Sequence, residues 1–121
     1  MKDLLKAFVT APVGQGPLTG AQLSVDGDNP VCGDKLRFSL KRENDGRLTI
    51  GFVATACPAT IAIASCAVQL YSGEVAPAGP PFVDLRQKVE SLGGLSNFEG
   101  HALSLVEDVL HRVYRSEASG D

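Results

Sequence analysis

The sequence predicts an α+β fold in which a small antiparallel sheet of about three strands is covered on one face by helices. Three observations carry this expectation. Lys35 to Lys41 alternate strictly between polar and apolar residues, then meet a turn signal and a second alternating run. From Pro58, the stretch "PATIAIASCAVQLY" is small and apolar nearly all round, as in a helix buried on several sides. Near the end, Ala102, Leu105, Val106, Val109, Leu110 and Val113 recur at helical spacing, opposite Ser104, Glu107, Asp108, His111 and Arg112.

Taken in order, Leu4, Leu5 and Phe8 fall on one face of a short helix over Lys2 to Val9, which Pro12 stops. "APVGQGPLTG" is rich in Gly and Pro and reads as an irregular connection, and Gln22 to Val25 as a short strand. In the main hairpin Leu36, Phe38 and Leu40 face Leu48, Ile50 and Phe52 across a turn tipped by Asp45-Gly46. Cys57 ends the second strand, and Pro58 suits a first helical position because that position's amide is unpaired anyway. After the loop "SGEVAPAGPP", Leu85, Val89 and Leu92 mark a short amphipathic helix ended by Gly93-Gly94. The last helix begins either at a capping box over Ser96 to Glu99 or nearer His101, since Gly100 interrupts the run. The tail "SEASGD" is expected to fray.

With 121 residues, 44% of them hydrophobic, the chain can bury one core and is expected to form a single domain over residues 1–121. A net charge of -3 supplies no basic field for a phosphate backbone, so no nucleic-acid partner is expected. No membrane span is expected either, because Thr55, Pro58, Thr60, Ser65 and Gln69 interrupt the longest apolar stretch. The start, "MKDLLKAFVTAP", carries an acid and has no signal-type apolar core, which points to the cytoplasm. Three cysteines is an odd number, so reduced thiols are expected rather than a disulfide framework, with some of them free to act as ligands or nucleophiles.

Cys32 and Asp34 precede the hairpin, Cys57 joins strand to helix, and His101 opens the last helix. Pairing through the Asp45-Gly46 turn brings the start of one strand beside the end of the other, and so Cys32, Asp34 and Cys57 to one end of the sheet. The unpaired amides of a helix start favour a thiolate at Cys57, which suits a metal ligand. Each residue also has a plain structural reading: a turn at Gly33-Asp34, a packed thiol at Cys57, a surface residue or cap at His101. Cys66, nine residues after Cys57, lies ~180° round the helix and ~13 Å along it, beyond the reach of a shared ion, and reads as a small buried hydrophobe. His111 belongs to the solvated face.

"NPVCGDKL", "GFVATACPATIAIAS" and "HALSLVEDVLHRV" together resemble the NifU/IscU-type iron-sulfur cluster assembly scaffold family, over nearly the whole chain. They correspond to its Cys-Gly-Asp motif, its strand, Gly-Cys and small-residue helix, and its His-Cys-x-x-Leu-x-Glu-Asp helix. "APVGQGPL" is similar to an early Pro-x-Asn-x-Gly segment, with Gly14 in place of Asn. The resemblance implies the NifU N-terminal/SufE-like fold and a site for a [2Fe-2S] cluster, iron or zinc, here ligated by Cys32, Asp34, Cys57 and His101. It also implies a cysteine desulfurase and apo-protein acceptors as partners. Ala102 stands where that family has its third ligand cysteine, Ala56-Cys57-Pro58 replaces a Gly-Cys-Gly-like turn, and "LSNFEG" replaces a chaperone-binding segment.

Clusters are held mainly by thiolates, so two thiols, a carboxylate and an imidazole form a donor set better matched to tetrahedral zinc, although mixed Cys/His ligation of a [2Fe-2S] centre exists. The leading expectation is a non-enzymatic scaffold that binds metal or cluster and passes it on. The second is a zinc-binding interaction or regulatory module that no longer assembles clusters. An enzyme with Cys57 as nucleophile and His101 as base is the third, without an oxyanion-hole motif to support it.

Overall fold

A computed structural model describes residues 1–119. Its elements are α1 (Asp3–Thr10), β1 (Leu23–Asn29), β2 (Asp34–Arg42), β3 (Leu48–Thr55), α2 (Pro58–Tyr71), α3 (Val83–Ser91) and α4 (Gly100–Ala118), with a 3-10 turn at Asn97–Glu99. The strands lie in the order β1-β2-β3, and both pairs are antiparallel. This is the α+β arrangement that the alternation and the two helical patterns predict.

The pleat sends Leu36, Phe38, Leu40, Ile50 and Phe52 to one face, where all are buried. Phe38 and Phe52 are opposite each other in the register, with ring centroids 6.1 Å apart. Two helices cover this face: α2 packs on β3 and α4 on β1 and β2, and they also touch each other. Because α1 and α3 pack on α2 as well, that helix is apolar nearly all round. The opposite face is polar, with Arg37 paired to Asp26 at 2.6 Å and Ser24 to Ser39 at 2.8 Å.

The irregular segment before β1 has a role that its composition hides. Gly14 carbonyl accepts the Phe52 N–H at 2.9 Å, and the Gly16 N–H returns to the Phe52 carbonyl at 2.8 Å. Further along the same edge, Leu48 donates to the Glu74 carbonyl and Ile50 to Ser72 Oγ. The outer edge of β3 is thereby closed to other strands.

Two expectations need correction. β1 does not end at Val25 but continues through Asp26-Gly27-Asp28-Asn29. Gly27 is what admits this polar run to the sheet, because a Cβ there would lie 2.5 Å from Val109 Cγ2, under α4. The tail is also helical further than predicted. α4 runs to Ala118, with Glu117 paired to Arg42, so Ser116 to Ala118 do not fray; Gly120 and Asp121 lie outside the described residues.

Glu107, predicted to be solvated, is 6% exposed, a further correction that concerns burial rather than an element's end. Its carboxylate accepts the Phe82 N–H at 3.0 Å and the Arg86 guanidinium at 2.6 Å. With the Leu85 N–H donated to the Tyr71 hydroxyl at 3.1 Å, the unpaired amides at the start of α3 are met by side chains from α4 and α2. No helix among the described residues is long and apolar enough to cross a membrane.

Tyr114 is buried among these same elements, and its hydroxyl has no hydrogen-bond partner among the described residues. A buried polar atom without a partner is a net cost, so Tyr114→Phe should leave stability unchanged or raise it by up to about 1 kcal/mol. A fall of the urea midpoint in that variant would reveal a bond to the hydroxyl that matters.

Burial also pushes the Cys66 thiol up to about 11 and raises the Tyr71 and Tyr114 phenols. These groups stay protonated in the folded chain at a pH where the unfolded chain has begun to lose their protons. Stability therefore falls as pH rises past the ordinary thiol value near 9, and the loss from Cys66 continues until its raised value is reached. Urea titrations between pH 8 and 11 should show this decline, and a shallower one in Cys66→Ala.

Candidate metal centre

The site is built at the end of the sheet where two chain reversals meet. β1 and β2 form a hairpin closed by the Asn29–Asp34 pair, so Cys32 sits in its four-residue loop. The Asn29 side chain accepts the Val31 N–H at 3.1 Å and the Asn29 carbonyl accepts the Gly33 N–H at 2.8 Å. Gly33 has φ 75°, a left-handed conformation that turns the chain back into β2 directly after the thiol. Cys32 is consequently exposed and Asp34, two residues on, is 2% exposed.

On the neighbouring strand, the register pairs Lys35 with Thr55, which carries Cys57 to the same end as Asp34. Cys57 is the N-cap of α2 and Pro58 its first residue, as the sequence indicates. Asp34 Oδ1 accepts the Cys57 N–H at 2.8 Å and its Oδ2 accepts the Thr60 hydroxyl at 3.0 Å. Burial pushes the Asp34 carboxyl up, but the donors from Cys57, Thr60 and Cys32 outweigh it and hold the group below its ordinary value.

His101 reaches the site from the first turn of α4. The preceding 3-10 turn is held by the Ser96 N–H donating to Glu99 Oε1 at 2.9 Å. That turn aims the Phe98 carbonyl at His101 Nδ1, 2.6 Å away. A carbonyl only accepts, so Nδ1 carries a proton, and Nε2 is the nitrogen turned toward the site. Nε2 lies 3.6 Å from Asp34 Oδ2 and 3.7 Å from Cys57 Sγ.

One donor atom from each of Cys32, Asp34 and His101 lies within 4.8 Å of the other two. Cys57 stands outside that trio and adjoins it through His101. Bond lengths to zinc of about 2.1 Å for nitrogen or oxygen and about 2.3 Å for sulfur put tetrahedral ligand atoms about 3.5 Å apart. The His101–Asp34 and His101–Cys57 separations of 3.6 and 3.7 Å already have that spacing. Cys32, Asp34 and His101 are thus gathered closely enough that one ion could be shared among them, and Cys57 borders the trio on the His101 side.

Cys66 is fully buried in α2, the small hydrophobe it reads as in the sequence. Ala102, beside His101, is also fully buried in the core. Thr60 is the residue that sequence reasoning missed. Its only signal was a hydroxyl three residues into a helix otherwise built from small apolar side chains.

A compact α+β unit whose sheet end gathers soft and borderline donors, one of them exposed, has the make-up of a small metal-handling protein. Residues 2–116 match the NifU-like N terminal domain model, and the chain belongs to that family. It is 31% identical over 105 residues to the "Bifunctional protein NifU/MnmA" of Rubrobacter xylanophilus, a match covering 85% of this chain and 21% of that protein. It is 33% identical over 86 residues to the "Iron-sulfur cluster assembly scaffold protein IscU 1" of Archaeoglobus fulgidus, covering 70% of this chain and 55% of that one. The chain thus spans about a fifth of the first relative and about half of the second. The crystal structure of a NifU-like protein (N-terminal) from Brucella abortus has the same fold, with a TM-score of 0.69 at 16% identity over 94% of this chain and 91% of that one.

The three thiols differ in access: Cys32 is exposed, Cys57 half-buried and Cys66 buried. Alkylation followed by mass spectrometry should label Cys32 first, Cys57 more slowly and Cys66 only on unfolding. Added zinc should protect Cys32 and Cys57 together, and protection of neither would count against a shared ion.

Proposed function

We propose that the chain is an iron-sulfur cluster assembly scaffold that binds iron, zinc or a [2Fe-2S] cluster at Cys32, Asp34, Cys57 and His101 and passes it to apo-proteins. The observation that supports this most directly is the gathering of Cys32, Asp34 and His101 donor atoms within 4.8 Å of one another, with Cys57 Sγ 3.7 Å from His101 Nε2, on a fold of the NifU-like N-terminal family. Metal or cluster is cargo here, and the chain's work is to hold and release it. Asp34 is fixed by two donors, His101 turns Nε2 toward Asp34 and Cys57, and Cys57 sits at the start of α2.

On this reading a cysteine desulfurase supplies sulfur and apo-proteins receive the cargo, in the cytoplasm. Ala102 has no thiol to take up sulfur, so Cys32 or Cys57 must do so, and Cys32 is the exposed one. The family kinship and the absence of any required chemical turnover in carriage favour a scaffold over an enzyme, even though Cys57 and His101 are within 3.7 Å of each other.

The second reading is a zinc-binding interaction or regulatory module. It is favoured by the donor chemistry: two sulfurs, one oxygen and one nitrogen satisfy zinc, whereas ferric clusters draw on more thiolate.

Anaerobic purification followed by reconstitution with iron and sulfide separates the two. A visible chromophore that is lost in Cys32→Ala and in Cys57→Ala is expected of a scaffold. Colourless protein that retains one zinc per chain would establish the second reading instead. Retention of neither would overturn both, and turnover of a substrate by metal-free protein would place the chain among the enzymes.

A further inference from the structure

We infer that Thr60 is a positioning residue of the metal centre, its hydroxyl setting the orientation of Asp34 toward a shared ion. The inference rests on the reading of Asp34 and Cys57 as ligands. Thr60 occupies the third position of α2 and is completely buried. A hydroxyl removed from water is costly unless it is bonded. This one bonds to site residues: Oγ1 donates to Asp34 Oδ2 at 3.0 Å and lies 3.5 Å from Cys57 Sγ.

A hydroxyl has one proton and two lone pairs. With its one proton given to Asp34, the hydroxyl has none left for Cys57, so the ligand it holds is the carboxylate. Without that hydroxyl the Asp34 carboxylate would keep the Cys57 amide at Oδ1, whereas Oδ2, the oxygen that faces His101 Nε2 at 3.6 Å, would lose its Thr60 donor. Losing the Thr60 proton would free that oxygen to turn away from the imidazole. A threonine needed only for packing would be replaceable by valine, which has the same shape; a threonine that aims a ligand would not.

The effect expected for losing such a supporting bond is a 10–100-fold weakening of metal binding. The probes are zinc, read by competition with a chelating dye, and cobalt(II), read by its ligand-field and sulfur-to-metal absorption. Thr60→Val should bind zinc about 10–100-fold more weakly and shift the cobalt spectrum, while Thr60→Ser, which keeps the hydroxyl, should restore both. Urea unfolding of the metal-free variants checks that each is folded. Should Thr60→Val fail to fold, the comparison of Thr60→Ala with Thr60→Ser carries the same test. Binding and spectrum unchanged in the valine or alanine variant would overturn the positioning role, as would an equal loss in Thr60→Ser. If the unaltered chain binds neither ion, the proposed function itself fails, an outcome distinct from metal binding that is indifferent to Thr60.

Discussion

The carboxylate of Asp34 fixes the relation between sheet and helix on which the site depends. It stands at the first residue of β2, yet both its oxygens are spent on the opening turn of α2, one on the Cys57 amide and one on the Thr60 hydroxyl. A helix start leaves backbone donors unpaired, and α2 draws an acceptor from a neighbouring strand rather than from its own N-cap, which is a cysteine. That exchange leaves the Cys57 thiol free of capping duty. It also couples the hairpin loop to the helix, so that Cys32, Asp34 and Cys57 are held by one clasp. A carboxylate in this position is buried but well bonded, which is the condition under which a buried charge is tolerable.

The third contributor, α4, is placed by other means. Its apolar stripe lies across β1 and β2, and Gly27 lets it come close enough for Arg112 to donate to the Asp26 carbonyl at 2.9 Å. This blunts part of the exposed edge of β1 while fixing the height of the helix above the sheet. The 3-10 turn before α4 then determines the ring of His101 through the Phe98 carbonyl. The imidazole is thus oriented from outside the site and the carboxylate from inside it. Their meeting at 3.6 Å follows from two independent constraints.

What the sequence reveals of this arrangement tracks how strongly each element depends on apolar periodicity. β2, β3, α2 and α4 bury regular stripes, and their patterns alone place them closely, including Pro58 at the start of α2. The second half of β1 carries no apolar residue at all, because its inward position is a glycine covered by Val109 and Leu105. Glu107 reads as a surface residue on a helical wheel, and only the tertiary position of the loop before α3 buries it. Cys32, Asp34, Cys57 and His101 could be named from residue type and from hairpin pairing. Thr60 could not, since threonine in a small-residue helix looks like packing until the carboxylate opposite it is seen.

The donors also differ in how firmly the fold holds them, and this bears on carriage. Asp34 and Thr60 are buried, Cys57 and His101 are half-buried, and Cys32 lies on a loop whose neighbour Val31 is 94% exposed. A site enclosed on every side would retain its ion, and one made wholly of loop donors would select poorly among ions and hold none well. Here the buried carboxylate and the half-buried imidazole are set by the core, with the exposed Cys32 thiol within 4.8 Å of both and the half-buried Cys57 thiol beside the imidazole. The Cys32 thiol is the donor of the four most open to solvent. On the proposed reading, the asymmetry assigns retention to the buried clasp and exchange to Cys32. Ala102 sharpens the point, because it is buried beside His101 and adds no further thiolate to the retaining side. On that reading a site with two thiols, Cys32 exposed and Cys57 half-buried, holds its cargo less tightly than one with three.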